Sequence, residues 1–285
     1  MDQKIIELYD EYTHAPLPRR VFLERLAALA GSAAAVPAIL TAIEPNYARA
    51  AMVDANDTRI SIDNVTFQGA TGDVRGYVAR PKTAERSPAV IVVHENRGLN
   101  PHIEDVVRRF ATEGFVAMAP DLLSPLGGTP QDADRAREMI GQLDAGKTVN
   151  NLVSAQSYLL SYRYSSGKVG AVGFCWGGGM VNQFAIKAPD LKGAVVYYGR
   201  SPDPAQVGSI KAPLLLHYAG LDQGVNAGVP GYEEALKKAG VPHEIHMYEG
   251  VNHAFNNDTS AERYNEQAAK LAWTRTVEFL RQYLV

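Results

Sequence analysis

A chain of 285 residues, 46% hydrophobic and 21% charged, carries enough apolar material for one large core and is long for a single domain. Its 28 basic and 31 acidic side chains leave a net charge of −3, without the basic surplus of a nucleic-acid-binding domain. The one cysteine, Cys175, excludes an intramolecular disulfide framework and any Cys-rich zinc or iron–sulfur site.

Residues 1–51 differ from the rest. A polar start leads to Pro16-Leu-Pro-Arg-Arg-Val-Phe-Leu23 and an Ala-rich stretch from Leu26 to Ile43. Arg19-Arg20 before Val-Phe-Leu resembles a twin-arginine export signal, with Ala48-Arg-Ala50 as its cleavage site and a periplasmic product. The acidic residues Asp2, Glu7, Asp10, Glu11 and Glu24 instead fit a retained helical extension packed on the catalytic domain of a cytoplasmic protein. Both readings stay open, and both divide the chain into 1–51 and 52–285. The apolar run is weakly hydrophobic and broken by Gly31 and Pro37, so no lasting membrane span is expected.

From Ser61 onward strand and helix patterns alternate. Ser61–Gln68 and Asp73–Ala79 alternate apolar with polar residues around a turn at Gly69–Gly72, which predicts an antiparallel hairpin. Pro88–Val93 is a continuous apolar run, as in a strand buried on both faces. A helix follows over Ile103–Glu113, closed by Gly114, then a strand over Phe115–Ala119. Ser124–Lys147 is Gly/Pro-containing and then polar-helical and reads as a lid or excursion, and Val149–Tyr162 reads as a longer helix.

Further strands are expected at Val169–Phe174, Gly193–Tyr198, Pro213–Tyr218 and His243–Tyr248. Helices are expected from Gly179, over Tyr232–Ala239 and over Ala261–Leu284. This alternation predicts an α/β domain, a mostly parallel central sheet with helices on both faces and an N-terminal helical extension.

Gly173-Phe-Cys175-Trp-Gly177 lies between a buried strand and a helix start, in the G-x-S-x-G nucleophile-elbow form with Cys in place of Ser. A sharp strand-to-helix turn exposes the central residue and sets a helix N-terminus beneath its sulfur, which favours a thiolate. A buried inert cysteine is the competing reading; a dinucleotide loop is not, because the G-x-G-x-x-G order is absent.

In chain order after the nucleophile, Asp222 follows the strand Leu214–Tyr218 in a turn. His253 lies in a loop between the last strand and the terminal helix. Both are presented from the carboxyl edge of one sheet, where an acid and a base would complete a triad. Asp121 precedes the nucleophile, Asp258 is too close to His253, and His217 lies within a strand. His14, His102, His243 and His246 have no comparable context. No histidine pair has helical ligand spacing with a carboxylate, so no metal site is expected.

Together, Val92-Val-His94-Glu95-Asn96-Arg97-Gly98, Ile103-Glu-Asp105, Ala119-Pro-Asp121, Gly173-Phe-Cys-Trp-Gly-Gly178 and Asn252-His253-Ala-Phe255 resemble the dienelactone hydrolase family, from about Val53 to the C-terminus. The resemblance implies an α/β-hydrolase fold with Cys175 as nucleophile, His253 as base and Asp222 orienting it. It implies that Glu95 meets the resting thiol and takes its proton when substrate binds. The backbone N–H groups of Trp176 and Asn96 would form the oxyanion hole.

The implied activity is cleavage of a carboxylic ester or enol-lactone through a thioester. Family members that cleave dienelactone carry an arginine four residues after the histidine; this chain has Asn257 there. Arg97 or Arg200 is the candidate replacement cation, and Tyr198, Phe255 and Asn257 are further candidate substrate contacts. The expected partner is a small ester or lactone, with no cofactor and no nucleic acid; the oligomeric state is left open. Two alternatives remain: the same site acting on a thioester, amide or phosphotriester, and a non-catalytic binding protein of this fold.

Overall fold

The computed structural model describes residues 1–14, 17–47 and 51–285; Ala48-Arg-Ala50, the expected cleavage site if the N-terminus is an export signal, lies outside them. Its centre is an eight-stranded sheet: β1 Ile60–Gly69, β2 Gly72–Pro81, β3 Ser87–Val93, β4 Val116–Pro120, β5 Ser165–Phe174, β6 Ala194–Tyr197, β7 Leu214–Ala219 and β8 His243–Tyr248, in the order β1-β2-β4-β3-β5-β6-β7-β8. β1 and β2 form the expected hairpin, with Gln68 opposite Asp73, and β2 also runs antiparallel to β4. All other pairs are parallel.

The apolar runs work as two-faced strands. In β3, Ala89, Ile91 and Val93 enter the core on one side of the sheet, and Val90 and Val92 the core on the other. The first side is covered by α6 Ala145–Ser161, α7 Trp176–Lys187 and α9 Val229–Ala239, the second by α4 Pro101–Thr112 and α10 Glu266–Leu284. Helix starts follow local chemistry: Asn100 caps α4 ahead of Pro101, Asp144 caps α6 and Asn265 caps α10.

The structure departs from the sequence reading at several helix starts: α6 begins at Ala145, not Val149, and α10 at Glu266, not Ala261. α7 begins at Trp176, not Gly179, because Gly177 and Gly178 are needed for close packing despite their poor helix propensity. A Cβ on Gly177 would lie 2.3 Å from the His94 carbonyl oxygen. A four-residue helix, α8 Gln223–Asn226, follows Asp222, too short to leave a periodic signal. Within the excursion at 124–147 the expected helical part is α5 Ala133–Ile140, which packs Ala136, Met139 and Ile140 on Leu123.

The N-terminal segment forms three helices, α1 Gln3–His14, α2 Arg19–Ala30 and α3 Val36–Ile43, with Gly31 ending α2 at φ 71°. Their own core joins Ile5, Ile6, Tyr9 and Tyr12 to Phe22, Leu26 and Ile43. Among the described residues no single helix is long and apolar enough to cross a membrane. α2 and the segment 33–43 pass by length and composition only as a pair, bent by 108°.

α1 lies across the loops that follow β3 and β8. Gln3 Nε2 donates to Asn252 Oδ1 at 2.7 Å, Arg97 to the Tyr9 hydroxyl at 2.9 Å, and Asn96 Nδ2 to the Thr13 carbonyl at 2.7 Å. Arg263 pairs with Asp10 at 3.1 Å while its guanidinium sits over the Tyr9 ring.

Candidate active site

Four strand ends contribute the candidate groups: Glu95 and Asn96 after β3, Cys175 after β5, Asp222 after β7 and His253 after β8. Cys175 holds φ 56° and ψ −119°, which a residue with a Cβ adopts only when its surroundings impose it. The constraint comes from Cys175 N–H bonding the Tyr197 carbonyl at 3.0 Å and from α7 pressing Gly177 against the β3 terminus. Among the described residues the non-glycine positions with positive φ are Cys175, Tyr198 and Ala254, and all three border this site. No side chain caps the N-terminus of α7, so the positive end of its dipole is presented to Sγ.

Asp222 Oδ1 accepts from Val225 N–H in the first turn of α8, which fixes the carboxylate. Its Oδ2 accepts from His253 Nδ1 at 2.5 Å. A carboxylate can only accept, so Nδ1 carries a hydrogen and Nε2 is the ring nitrogen left to exchange a proton. One ring nitrogen of His253, one of His14 and Cys175 Sγ lie within 4.8 Å of one another. His253 makes no complete hydrogen bond to Sγ in this arrangement. Burial pulls His253 down, but the sulfur and Asp222 outweigh it and hold the imidazole well above its usual pKa. Burial raises Asp222, yet His253 brings its carboxyl below the usual range.

The residue that sequence reasoning passed over is His14. Its Nε2 stands 3.0 Å from Cys175 Sγ, although 161 residues separate the two. Its Nδ1 lies 2.7 Å from the Asp10 carbonyl and its ring 4.3 Å from that of His253. Burial pushes the Cys175 thiol up, and the two imidazoles more than reverse this, bringing it down to about 6. No sequence motif marks His14; the available signal was the acidic face of α1, which includes the Asp10 that pairs with Arg263.

Glu95 is buried, and Asn257 Nδ2 donates to its Oε2 at 2.8 Å; its Oε1 has no hydrogen-bond partner. It borders a small recess of about 20 Å³ together with Cys175, His14, Arg97 and Arg263. The hydrogen bond that the thiol makes is with His14.

The competing groups serve elsewhere. Asp121 accepts from Leu123 N–H, Thr129 N–H and the Thr129 hydroxyl. Asp258 pairs with His102 and Arg109, and His217 is buried between Tyr248 and Thr276.

Above Cys175 opens a cavity of about 1100 Å³, walled by α7, by the excursion around α5 and by the end of α1 with Leu17 and Pro18. Asn96, Trp176, Tyr198, Arg200 and His253 reach it. Tyr198 is fully buried, with its hydroxyl unpartnered and its ring 4.8 Å from that of His253. Arg97 borders only the small recess, and Phe255 and Asn257 are buried behind the wall, Phe255 against Tyr197, Tyr198 and Tyr248.

Among the described residues His14, Cys175 and His253 also form a donor set suited to a soft divalent ion. A tetrahedral zinc would hold sulfur and nitrogen about 3.5 Å apart. His14 and Cys175 are at 3.0 Å, a hydrogen-bonding distance.

Residues 74–284 match the dienelactone hydrolase family profile, and residues 1–31 match a profile described as YqhI-like. A Saccharolobus solfataricus protein with the provisional name carboxymethylenebutenolidase is 34% identical over 245 residues, 73% of this chain and 94% of its own. A crystal structure provisionally assigned as a dienelactone hydrolase, from Klebsiella pneumoniae, superposes with a TM-score of 0.72 at 30% identity. It covers 79% of this chain and 99% of its own. The fold is shared with a metagenomic protein described as a dienelactone hydrolase-like promiscuous phosphotriesterase, at TM-score 0.73 and 21% identity over 80% of this chain and 100% of its own.

Proposed function

The chain belongs to the dienelactone hydrolase family and is a hydrolase, and from that premise we propose that it cleaves a carboxylic ester or lactone through a thioester on Cys175. The observation that carries this reading is the convergence of Sγ, held at a strained turn over an uncapped helix N-terminus, with a His253 imidazole whose Nδ1–H is held by Asp222.

Attack of the thiolate on the substrate carbonyl creates an oxyanion beside the backbone N–H groups of Trp176 and Asn96, at the cavity floor. Collapse expels the alkoxide or enolate. His253 then draws a proton from water, and the hydroxide attacks the thioester to release the acid and Sγ.

The cavity walls bear on the choice of substrate. Arg97 is engaged by Tyr9, whereas Arg200 stands on the main wall. We therefore assign Arg200 to a substrate carboxylate or other anionic group, with the unpartnered Tyr198 hydroxyl as a nearby donor. We read the N-terminal helical extension as a retained cap, since the end of α1 with Leu17 and Pro18 walls the cavity and α1 binds Asn96 and Arg263.

The test is hydrolysis of an aryl ester and an enol-lactone by wild type and Cys175→Ala, with mass spectrometry of the acid-quenched enzyme. The expected result is turnover abolished in Cys175→Ala and an acyl adduct on Cys175 in wild type. Full activity of Cys175→Ala would overturn the reading.

A further inference from the structure

We propose that His14 is a second catalytic histidine, which takes the Cys175 proton during acylation and delivers it to the leaving group, while His253 serves the water step. This deepens the hydrolase reading and rests on it.

The tautomer of His14 is set by the chain. Its Nδ1 faces the Asp10 carbonyl at 2.7 Å, and a carbonyl can only accept. Nδ1 therefore carries the hydrogen, and the Nε2 lone pair points at Sγ from 3.0 Å. Two imidazoles, each with Nδ1 committed to an acceptor, thus address one thiol. Of the two, His14 has the hydrogen-bonding geometry to Sγ, and His253 does not.

Glu95 makes no hydrogen bond to Sγ: Asn257 holds its Oε2, and its Oε1 has no partner. The end of α1 is positioned by Asn96 on the Thr13 carbonyl and by Arg137 on the Tyr12 carbonyl. These contacts come from the loop after β3 and from α5, so the His14 position is registered to the oxyanion loop and the cavity wall.

The proton balance is complete. Nε2 of His14 takes the Sγ proton, and the thiolate forms a C–S bond as the carbonyl π pair moves to oxygen. When that pair returns, the C–O bond to the leaving group breaks and the leaving oxygen takes the proton from His14. His253 then removes a proton from water, hydroxide adds to the thioester carbon, and the C–S bond breaks. The proton on His253 returns to Sγ. The sum is ester plus water to acid plus alcohol.

The experiment compares wild type, His14→Gln, His14→Ala, His253→Ala and Cys175→Ala in the full chain. Acylation is followed by burst release from an aryl ester, deacylation by decay of the acyl enzyme, and thiol ionisation by iodoacetamide alkylation against pH. Thermal melts identify any variant that fails to fold. The ionisable side chains that line the two cavities beside Sγ include His14, His253, Tyr198, Glu95, Arg97, Arg200 and Arg263.

The expected result for His14→Gln is acylation slowed about 10²-fold or more, with deacylation within a few-fold of wild type. Alkylation should move to higher pH, and external imidazole should restore acylation of His14→Ala. His253→Ala should slow deacylation.

Acylation and alkylation profiles of folded His14→Gln that match wild type would overturn the proposal. So would activity lost on chelation and restored by zinc only when His14 is present, since His14 would then be a metal ligand. A wild type that hydrolyses nothing, while His14→Gln still shifts the alkylation profile, would count against the hydrolase reading instead.

Discussion

Asn257 Nδ2 donates a 2.8 Å hydrogen bond to Glu95 Oε2, and both side chains are removed from water. The position that the family resemblance assigns to a substrate-binding arginine is thus spent on holding a carboxylate. The same Asn257 receives Thr259 N–H and the Thr259 hydroxyl on its Oδ1, which fixes which end of the amide faces Glu95.

Asn257→Ala leaves Glu95 buried with neither oxygen partnered. The expected cost is about 1–3 kcal/mol in denaturant unfolding, the penalty of an unsatisfied buried acceptor. Asn257→Asp places a second carboxylate beside the first and should cost more at pH 8 than at pH 5, where proton sharing relieves the repulsion. Equal stability of Asn257→Ala and wild type would mean that water replaces the amide.

The sequence exposed the parts of the site that depend on local patterns. Gly173, Cys175 and Gly177 announce a strand-to-helix turn, Asp222 follows a buried apolar run by a few residues, and His253 follows the last strand. Asp222 could be placed without knowing α8, because the strand before it was readable. His14 could not be placed. Its position depends on Tyr9, Asp10 and Thr13 meeting Arg97, Arg263 and Asn96, pairings between segments far apart in the chain that no periodicity encodes. Arg97 was equally opaque: a cation beside a strand end looks available until Tyr9 is seen on it.

Asp10→Ala tests that docking. It removes the carboxylate from Arg263, a buried cation whose remaining partners are Ser260 and the Tyr9 ring. Asp10 is partly exposed, so the loss should be about 2 kcal/mol, less than the 3–5 of a fully buried pair. Hydrogen exchange should rise across residues 3–14 and leave α10 unchanged. Uniform exchange in both proteins would show that the ion pair does not hold α1.

The pH dependence of alkylation follows from the thiol at about 6. The thiolate is the reactive form, so the rate should rise with pH through about 6 and level off above, where an ordinary thiol would still be gaining up to about 8.5. Because the thiol and the His253 imidazole are coupled, the midpoint belongs to the pair. Asp222→Asn weakens the cation on His253 and should move that midpoint upward while lowering turnover at least about 10²-fold. A midpoint near 8.5 in wild type would mean that neither imidazole stabilises the thiolate.

Two neighbouring glycines of α7 should behave oppositely. A Cβ at Gly177 would stand 2.3 Å from the His94 carbonyl oxygen and 2.4 Å from that of Val93. Both oxygens belong to backbone at the end of a central strand, so neither can give way as a flexible side chain would. The His94 ring is itself fixed between the Glu95 carbonyl and Leu122 N–H and lies against Trp176. Gly177→Ala must therefore drive α7 away from β3 and displace Cys175 with it, with loss of activity and a large fall in melting temperature.

At Gly179 the nearest atoms to a Cβ are 3.8 Å away, in ordinary contact. Gly179→Ala gains helix propensity worth about 1 kcal/mol and should melt at or above wild type. Thermal unfolding of the two variants side by side separates close packing at the elbow from a general preference for glycine in this helix. Equal melting temperatures would mean that the contact between α7 and the β3 terminus is not what holds the turn.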